Sequence, residues 1–367
     1  HPHREAVVKQ VVTGATGLVG AALVLELLAR TDDEVVCLVR PGRKVEPEEK
    51  LRTALAKAAR EYGADGLEID KRVSVLPADL GKPRLGVEGL SGAGEFWHNA
   101  ADLRYEDRHW EALRDTNVEG TRNALDLAEA AGASTFNYTS TAYVAGRLDG
   151  EIAEVRMDGV ETNNRYEESK IDAERLVADA TAFATRTFRP SVVIGHSRTY
   201  ALCGGQSGLY GIQRRLSQFR RVLGSLGSPE DLATPMRVRA EALARVNLVP
   251  VDLVVADAVS ISQSCSTAEV FHLTHPDPMA VGPGLGVMFE KAGLPRPVHT
   301  DEVDGFTQLE QEFDRKIEFY GSYMTGYKRF DQKNLVDAVG SPALHSWRFD
   351  LAELARYLDW YRALLAR

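Results

Sequence analysis

The chain has 367 residues, with 44 Lys and Arg against 53 Asp and Glu, for a formal net charge of −9. Hydrophobic residues make up 44% and charged residues 26%, which supplies a sizeable core and excludes a disordered chain. Net acidity argues against nucleic acid or an anionic membrane as partner, and no uncharged apolar run reaches the roughly 18–20 residues of a membrane span.

The opening His1-Pro2-His3-Arg4 lacks the apolar stretch of a signal peptide, so a cytoplasmic protein is expected. Ala6–Thr13 reads as a strand, Leu18–Ala29 as an apolar helix and Glu34–Val39 as a second strand, with glycines at 14, 17 and 20 between the first two. That is one βαβ unit, whose strands are apolar throughout because a parallel sheet is covered on both faces. Residues 41–71 are charged and Ala-rich with helical spacing, which predicts an inserted helix. Strands follow over Arg72–Leu76, Gly94–His98 and Ser134–Thr139, and a sixth over Arg186–Ile194 is broken at Pro190. Helices are expected over Asn117–Gly132 and Tyr166–Ala180. The alternation predicts an α/β fold, a Rossmann-type doubly wound parallel sheet over residues 5–195.

A smaller, mostly helical cap is expected over 196–367, with some strands and helices returning to the core. It begins with a basic amphipathic helix, Leu209–Leu226, then a strand at Asn247–Val251 before a helix capped by Asp252. A strand at Val270–Thr274 and helices at Ala280–Ala292, Thr307–Glu318 and Leu351–Leu365 complete it. Cys37, Cys203 and Cys265 form no CxxC pair and read as buried structural thiols in a reducing compartment. The nine histidines show no ligand spacing, so no metal is expected.

Gly14, Gly17 and Gly20 follow a strand and open a helix. There a tight turn, close approach to a diphosphate and close helix packing all favour glycine, and the helix N-terminus attracts the anion. Thr13, Gly14, Thr16, Gly17, Leu18 and Val19 are the candidate contacts. The second strand ends in Arg40, not in an acid that would bond ribose hydroxyls, which points to the extra phosphate of NADP(H). Asp79 and Leu80 close the third strand and Asn99, Ala100 and Ala101 the fourth, at the strand ends where open α/β sheets bind ligands.

Tyr166 and Lys170 are four apart and share a helix face. A neighbouring ammonium is expected to lower the phenol's pKa, so that Tyr166 exchanges a proton with a carbonyl oxygen while Lys170 also holds the nicotinamide ribose. Ser140 and Thr141, just past the fifth strand, offer a hydroxyl to the same oxygen.

These residues make the chain resemble the extended short-chain dehydrogenase/reductases. The resemblance rests on TGATGLVG at Thr13–Gly20, HNAA at His98–Ala101, YEESK at Tyr166–Lys170 and RPSVVIG at Arg189–Gly195. It implies Thr141 rather than Ser140 as the active-site hydroxyl, because the family's residue precedes a V-x-G turn, here Val144–Gly146, by three. It implies Asn117 as a supporting residue and Pro190 and Val193 in the segment bordering the nicotinamide. LVRP, the 41–71 insertion, ADLGKPRLG, EFWHNAADLRYEDR, STAYVAG and FYGSYMTGYKRFD resemble a narrower branch, the thioester and fatty-acyl-CoA reductases. That branch implies NADPH-dependent reduction of a carrier- or CoA-bound acyl thioester to an aldehyde, with onward reduction to an alcohol left open. No adenylation or carrier segment is visible, so an acyl carrier protein is expected in trans, and the protein as a monomer or homodimer. Arg-rich Gln213–Arg221 is a candidate carrier contact, and His196, Arg198 and Tyr143 stand near the expected substrate mouth.

Three other readings stay open at this point. One is an NADP-dependent oxidoreductase of a ketone or hydroxyl on a steroid- or flavonoid-like ring, and another a nucleotide-sugar epimerase. A non-catalytic dinucleotide sensor is the last, disfavoured by the intact Tyr166, Lys170 and Thr141.

Overall fold

The computed structural model describes residues 8–104, 107–205, 208–226, 229–241 and 243–366. His1–Arg4, the first residues of the expected opening strand and the Tyr105-Glu106 pair of the resembling stretch lie outside the described residues.

The first half alternates as its sequence predicts. In chain order it runs β1 (Lys9–Thr13), α1 (Leu18–Arg30), β2 (Glu34–Val39), α2 (Pro47–Tyr62), β3 (Val73–Pro77) and β4 (Ala93–His98). It continues with α3 (Gly120–Ala130), β5 (Thr135–Thr139), α4 (Arg165–Ala178), β6 (Ala184–Pro190) and β7 (Val192–Ile194). The second half adds α5 (Gly208–Leu226), β8 (Leu248–Pro250), α6 (Val251–Ser262), β9 (Val270–Leu273), α7 (Val281–Ala292), α8 (Gln308–Ile317) and α9 (Leu351–Leu365).

Seven strands form one parallel sheet in the order β9-β6-β5-β4-β1-β2-β3. Its core strands are buried on both faces, which is why they read as unbroken apolar runs: Val11 and Val12 of β1 are both inaccessible, one beside Val36 and Phe96, the other beside Cys37 and Trp97. Helices α1, α2 and α6 cover one face, and α3 and α4 the other. The chain order reverses between β1 and β4, so the loops after both strands open into a crevice there. The remaining helices enclose a second core built around Tyr210, Phe289, Phe313 and Tyr357.

Several expectations need correction. The helix expected from Asn117 begins earlier, at Trp110, and passes through a π-helical turn at Asp115–Glu119 that carries Asn117. Asp252 does not cap α6, whose N-cap is Pro250 without a side-chain bond. Its carboxylate instead accepts from the Ser197 backbone N–H (2.7 Å) and hydroxyl (2.6 Å), so a tertiary contact takes the group that a cap would use. Cys37 and Cys203 are buried as expected, but Cys265 is exposed, because the short loop after α6 leaves it outside the core. Among the described residues no helix is long and apolar enough to cross a membrane.

One buried ion pair ties the helix carrying Tyr166 to the sheet. Arg189, fully inaccessible on β6, donates to both Glu174 carboxylate oxygens on α4, at 2.9 and 2.6 Å. Such a forked pair fixes orientation as well as distance. Removing one partner strands a buried charge, so Glu174→Ala is expected to cost about 3–5 kcal/mol in urea unfolding, whereas loss of a surface pair such as Lys316–Glu312 is expected to leave the transition nearly unmoved.

Candidate active site

The glycine turn is built by contact as well as by conformation. Gly14 holds φ at +73°, and a Cβ there would stand 2.7 Å from the Ala100 backbone nitrogen. A Cβ on Gly20 would strike the Gly14 carbonyl, so any side chain would push α1 off the turn. The first turn of α1 carries no acidic residue. Its leading N–H groups have no intrahelical partner and face the crevice as an anion seat.

A directed chain of hydrogen bonds stiffens the strand ends beside it. The Thr13 hydroxyl accepts from the Asn99 (3.1 Å) and Ala100 (3.2 Å) N–H groups, so its own proton goes to Nδ1 of His98 at 2.8 Å. His98 Nε2–H then donates to Thr121 Oγ1 (3.2 Å), whose proton goes to the Asn117 carbonyl (2.7 Å). This assigns the Nε2–H tautomer of His98 from its partners. Burial, reinforced by the Lys170 charge, pushes its pKa down to about 3, so the ring is neutral.

Asn117 is buried and lies outside the cleft wall. Its amide accepts from the Asp102 N–H (2.7 Å) and donates to the Asp102 carbonyl (2.9 Å) and to Ser169 Oγ (2.9 Å). It therefore clamps the loop after β4 to α4, the supporting position that the resemblance implies for it. The π-helical turn, with its extra residue, is what carries it there.

Tyr166 and Lys170 lie on α4, whose N-cap Asn164 accepts from the Glu167 N–H at 3.0 Å. Lys170 is buried, and its ammonium donates to Tyr138 Oη (2.9 Å) and the Thr139 carbonyl (2.7 Å), 4.5 Å from the Tyr138 ring centre. Burial pushes its pKa down to about 7. The expectation that Lys170 lowers the Tyr166 phenol is not met: burial, with the Glu167 carboxylate adding to it, pushes Tyr166 up from the ordinary phenol value. Thr141 Oγ1 accepts from the Tyr143 N–H at 3.2 Å, and that bond leaves its hydroxyl proton uncommitted. Ser140 also lines the cleft, with its Oγ buried and without a hydrogen-bond partner among the described residues.

The glycine turn, Thr141, Tyr166 and Lys170 share one cleft of about 910 Å³. Its wall contains Thr13, Gly14, Thr16, Gly17, Leu18 and Val19 from the turn, and Asp79, Leu80 and Asn99–Ala101 from the strand ends. Thr141, Tyr166, Lys170, Pro190 and Val193 also line it, and Arg40 stands at the rim with Lys50 of α2. Lys50 was missed by the sequence reading, since nothing in a charged helix indicates which lysine turns inward. Of the residues expected near the substrate mouth, Tyr143 lines the cleft and His196 does not. His196 packs on the Tyr62 ring (5.2 Å) with Nε2 3.6 Å from the Asp252 carboxylate. Among the described residues, no cluster of three or more His, Cys, Asp or Glu is arranged to hold a metal.

A family described as Male sterility protein, and named as NAD-binding, matches residues 12–258, more than half of the chain. The chain belongs to that family. It is an extended short-chain dehydrogenase/reductase of the thioester-reductase branch, an oxidoreductase with a nicotinamide cofactor. It is 35% identical over 191 residues, 49% of its length, to an isonitrile lipopeptide synthase of Streptomyces coeruleorubidus. It spans 27% or less of the length of the curated relatives it matches. Among solved structures, the terminal R domain from the myxalamid PKS-NRPS pathway matches with a TM-score of 0.74 at 23% identity, covering 99% of this chain and 93% of that one. A thiolation-reductase di-domain from an archaeal non-ribosomal peptide synthetase gives 0.75 at 16%, covering 98% and 76%. At these identities the two structures speak for the fold alone.

The neutral His98 makes a pH test of this reductase fold. Between its unfolded value near ~6.5 and about 3, the unfolded chain binds a proton at this ring and the folded chain does not, so stability falls as pH falls through that window. His98→Gln, whose amide can accept from Thr13 and donate to Thr121, is expected to flatten the decline in unfolding free energy from urea titration by up to about 1.4 kcal/mol per pH unit. An unchanged slope would show that His98 is protonated in the folded state.

Proposed function

We propose that this protein is an NADPH-dependent reductase of acyl thioesters, releasing an aldehyde. One observation supports the reading above the rest: a glycine turn, a Tyr/Lys pair and a free Thr141 hydroxyl share a single cleft. Residues 5–195 bind the dinucleotide and residues 196–367 shape the acyl site. Arg40 and Lys50 at the rim receive the extra phosphate of NADP(H), and an acid able to claim the ribose hydroxyls is missing from the end of β2. That pair of cations disfavours the epimerase reading.

The reduced nicotinamide supplies the hydride. Thr141 donates a hydrogen bond to the thioester carbonyl oxygen and fixes its orientation, and Tyr166 gives that oxygen its proton as the C=O bond opens. A raised phenol pKa keeps Tyr166 protonated across the physiological range, as a donor requires. Lys170 has three donors and uses two on Tyr138 and Thr139, and on this reading the third goes to a ribose hydroxyl. The hemithioacetal then collapses, with C–S cleavage returning the hydroxyl proton to the departing thiol. Substrate arrives on the pantetheine arm of an acyl carrier protein, joined to this chain or separate from it, or on CoA. The three cysteines are unpaired, as suits a reducing compartment such as the cytoplasm.

Tyr166→Phe is expected to lower kcat for octanoyl-CoA by about 10²–10⁴-fold while NADPH binding, followed by its fluorescence, stays near the parental value. Full activity in this variant would remove the phenol from the mechanism. Arg40→Ala is expected to raise KM for NADPH by about tenfold, the loss of one charge-assisted contact, and to leave KM for NADH unchanged. Equal changes for both cofactors would place Arg40 away from the extra phosphate.

A further inference from the structure

The cleft is divided electrically along the chain. Its charged wall residues, Arg40, Lys50, Asp79, Asp115 and Lys170, all come from the first 170 residues. From residue 204 onward the described part of the wall contains no Asp, Glu, Lys, Arg or His. It is built of aliphatic side chains, methionines, glycines and two tyrosines. Burying an unpaired charge against such a wall is costly, whereas burying methylenes there is favourable.

Two side chains of this wall are seated in glycine notches on helices that pack against each other, α5 and α7. Tyr320 lies along α5 with its ring edge 3.6 Å from where a Gly208 Cβ would stand, and its hydroxyl fills the position of a Gly211 Cβ. Across from it, the Met279 methyl carbon is 2.6 Å from the position of a Gly284 Cβ, with Leu354 of α9 behind at 3.8 Å. Each notch lets a large side chain lie back against a helix backbone and so keeps it out of the cleft. Filling either notch forces that side chain forward. Met279, half-buried and flexible, is the one that moves without breaking the fold.

Resting on the thioester-reductase reading, we propose that this half of the cleft takes an acyl group that is apolar and uncharged at its far end, and that Met279 in the Gly284 notch sets the room available to it. The tail is enclosed by the methionine and aliphatic wall, and its thioester carbonyl is left beside Thr141 and Tyr166. Acyl groups ending in a carboxylate or an ammonium are refused, because the described wall from residue 204 onward offers them no side chain of opposite charge.

The test uses S-alkyl pantetheine thioethers, which cannot be reduced, titrated calorimetrically into the whole protein with NADP+ present. The octyl thioether is expected to bind at least about tenfold more tightly than its ω-carboxylate and ω-ammonium analogues of equal length. Gly284→Ala, which pushes Met279 forward, is expected to weaken the octyl probe several-fold and leave the methyl probe unchanged. Met279→Ala is expected to strengthen the dodecyl probe relative to the octyl. Equal binding of charged and uncharged probes, or no change of chain-length preference in either variant, overturns the proposal. NADPH consumption with octanoyl-CoA is read separately. The expected binding order without turnover upholds the chamber and overturns the reductase reading; turnover that is indifferent to tail charge does the reverse.

Discussion

Holding a lysine ammonium inside the protein, at the carboxyl ends of the central strands, is the constraint from which the rest of the site follows. A buried cation without a carboxylate in direct contact must have its donors satisfied by oriented neutral groups. Lys170 finds these in the Tyr138 hydroxyl, the Thr139 carbonyl and the face of the Tyr138 ring. Each partner must then be held still. The Thr139 hydroxyl donates to Asn99 at 2.6 Å, which joins the end of β5 to the loop after β4. His98, next along, stays neutral partly because Lys170 repels a second positive charge. Its neutrality fixes the direction of the Thr13-to-Asn117 hydrogen-bond chain. The frame that shapes the dinucleotide turn is thus the same frame that makes one buried cation tolerable.

Much of this architecture is legible in the residues, and the reasons are local. β2 spans Glu34–Val39 in both reading and structure, because an apolar run bounded by Asp33 and Pro41 has only one way to be a buried strand. The glycine turn and α1 are equally plain, since a strand, three glycines and an apolar helix admit few alternatives. What the residues do not disclose depends on rotation and on distant partners. Lys50 reaches the cleft wall because it flanks the stripe of Leu51, Leu55 and Ala58 that α2 turns into the core. Spacing of four places Tyr166 and Lys170 on one face, but it does not say where the ammonium will go, and Tyr138 and the Thr139 carbonyl are what hold it. Asp252 satisfies the pattern of a cap and is taken instead by Ser197, 55 residues earlier. The short strand Gly150–Ile152 pairs with Lys328–Phe330, far down the chain, and neither carries a periodic signal.

The division of charge across the cleft also explains why the reacting groups stand where they do. The dinucleotide needs cations, free N–H groups and a helix dipole, all of which work in the presence of water. Stabilising an oxyanion by two hydroxyls needs the opposite, a dry and low-dielectric surround in which each hydrogen bond is worth more. Thr141, Tyr166 and Lys170 come from the charged half but stand where it meets the apolar wall of Leu248, Met324 and Tyr323. An apolar tail filling that wall would expel water from the carbonyl, so the substrate itself would complete the environment in which its reduction is favoured. A short or charged tail leaves the same hydroxyls hydrated and the carbonyl oxygen shared with solvent. On the proposed reading, selectivity for the tail and catalysis at the head would be a single physical effect, since the methylenes that bind the chamber would also dry the site.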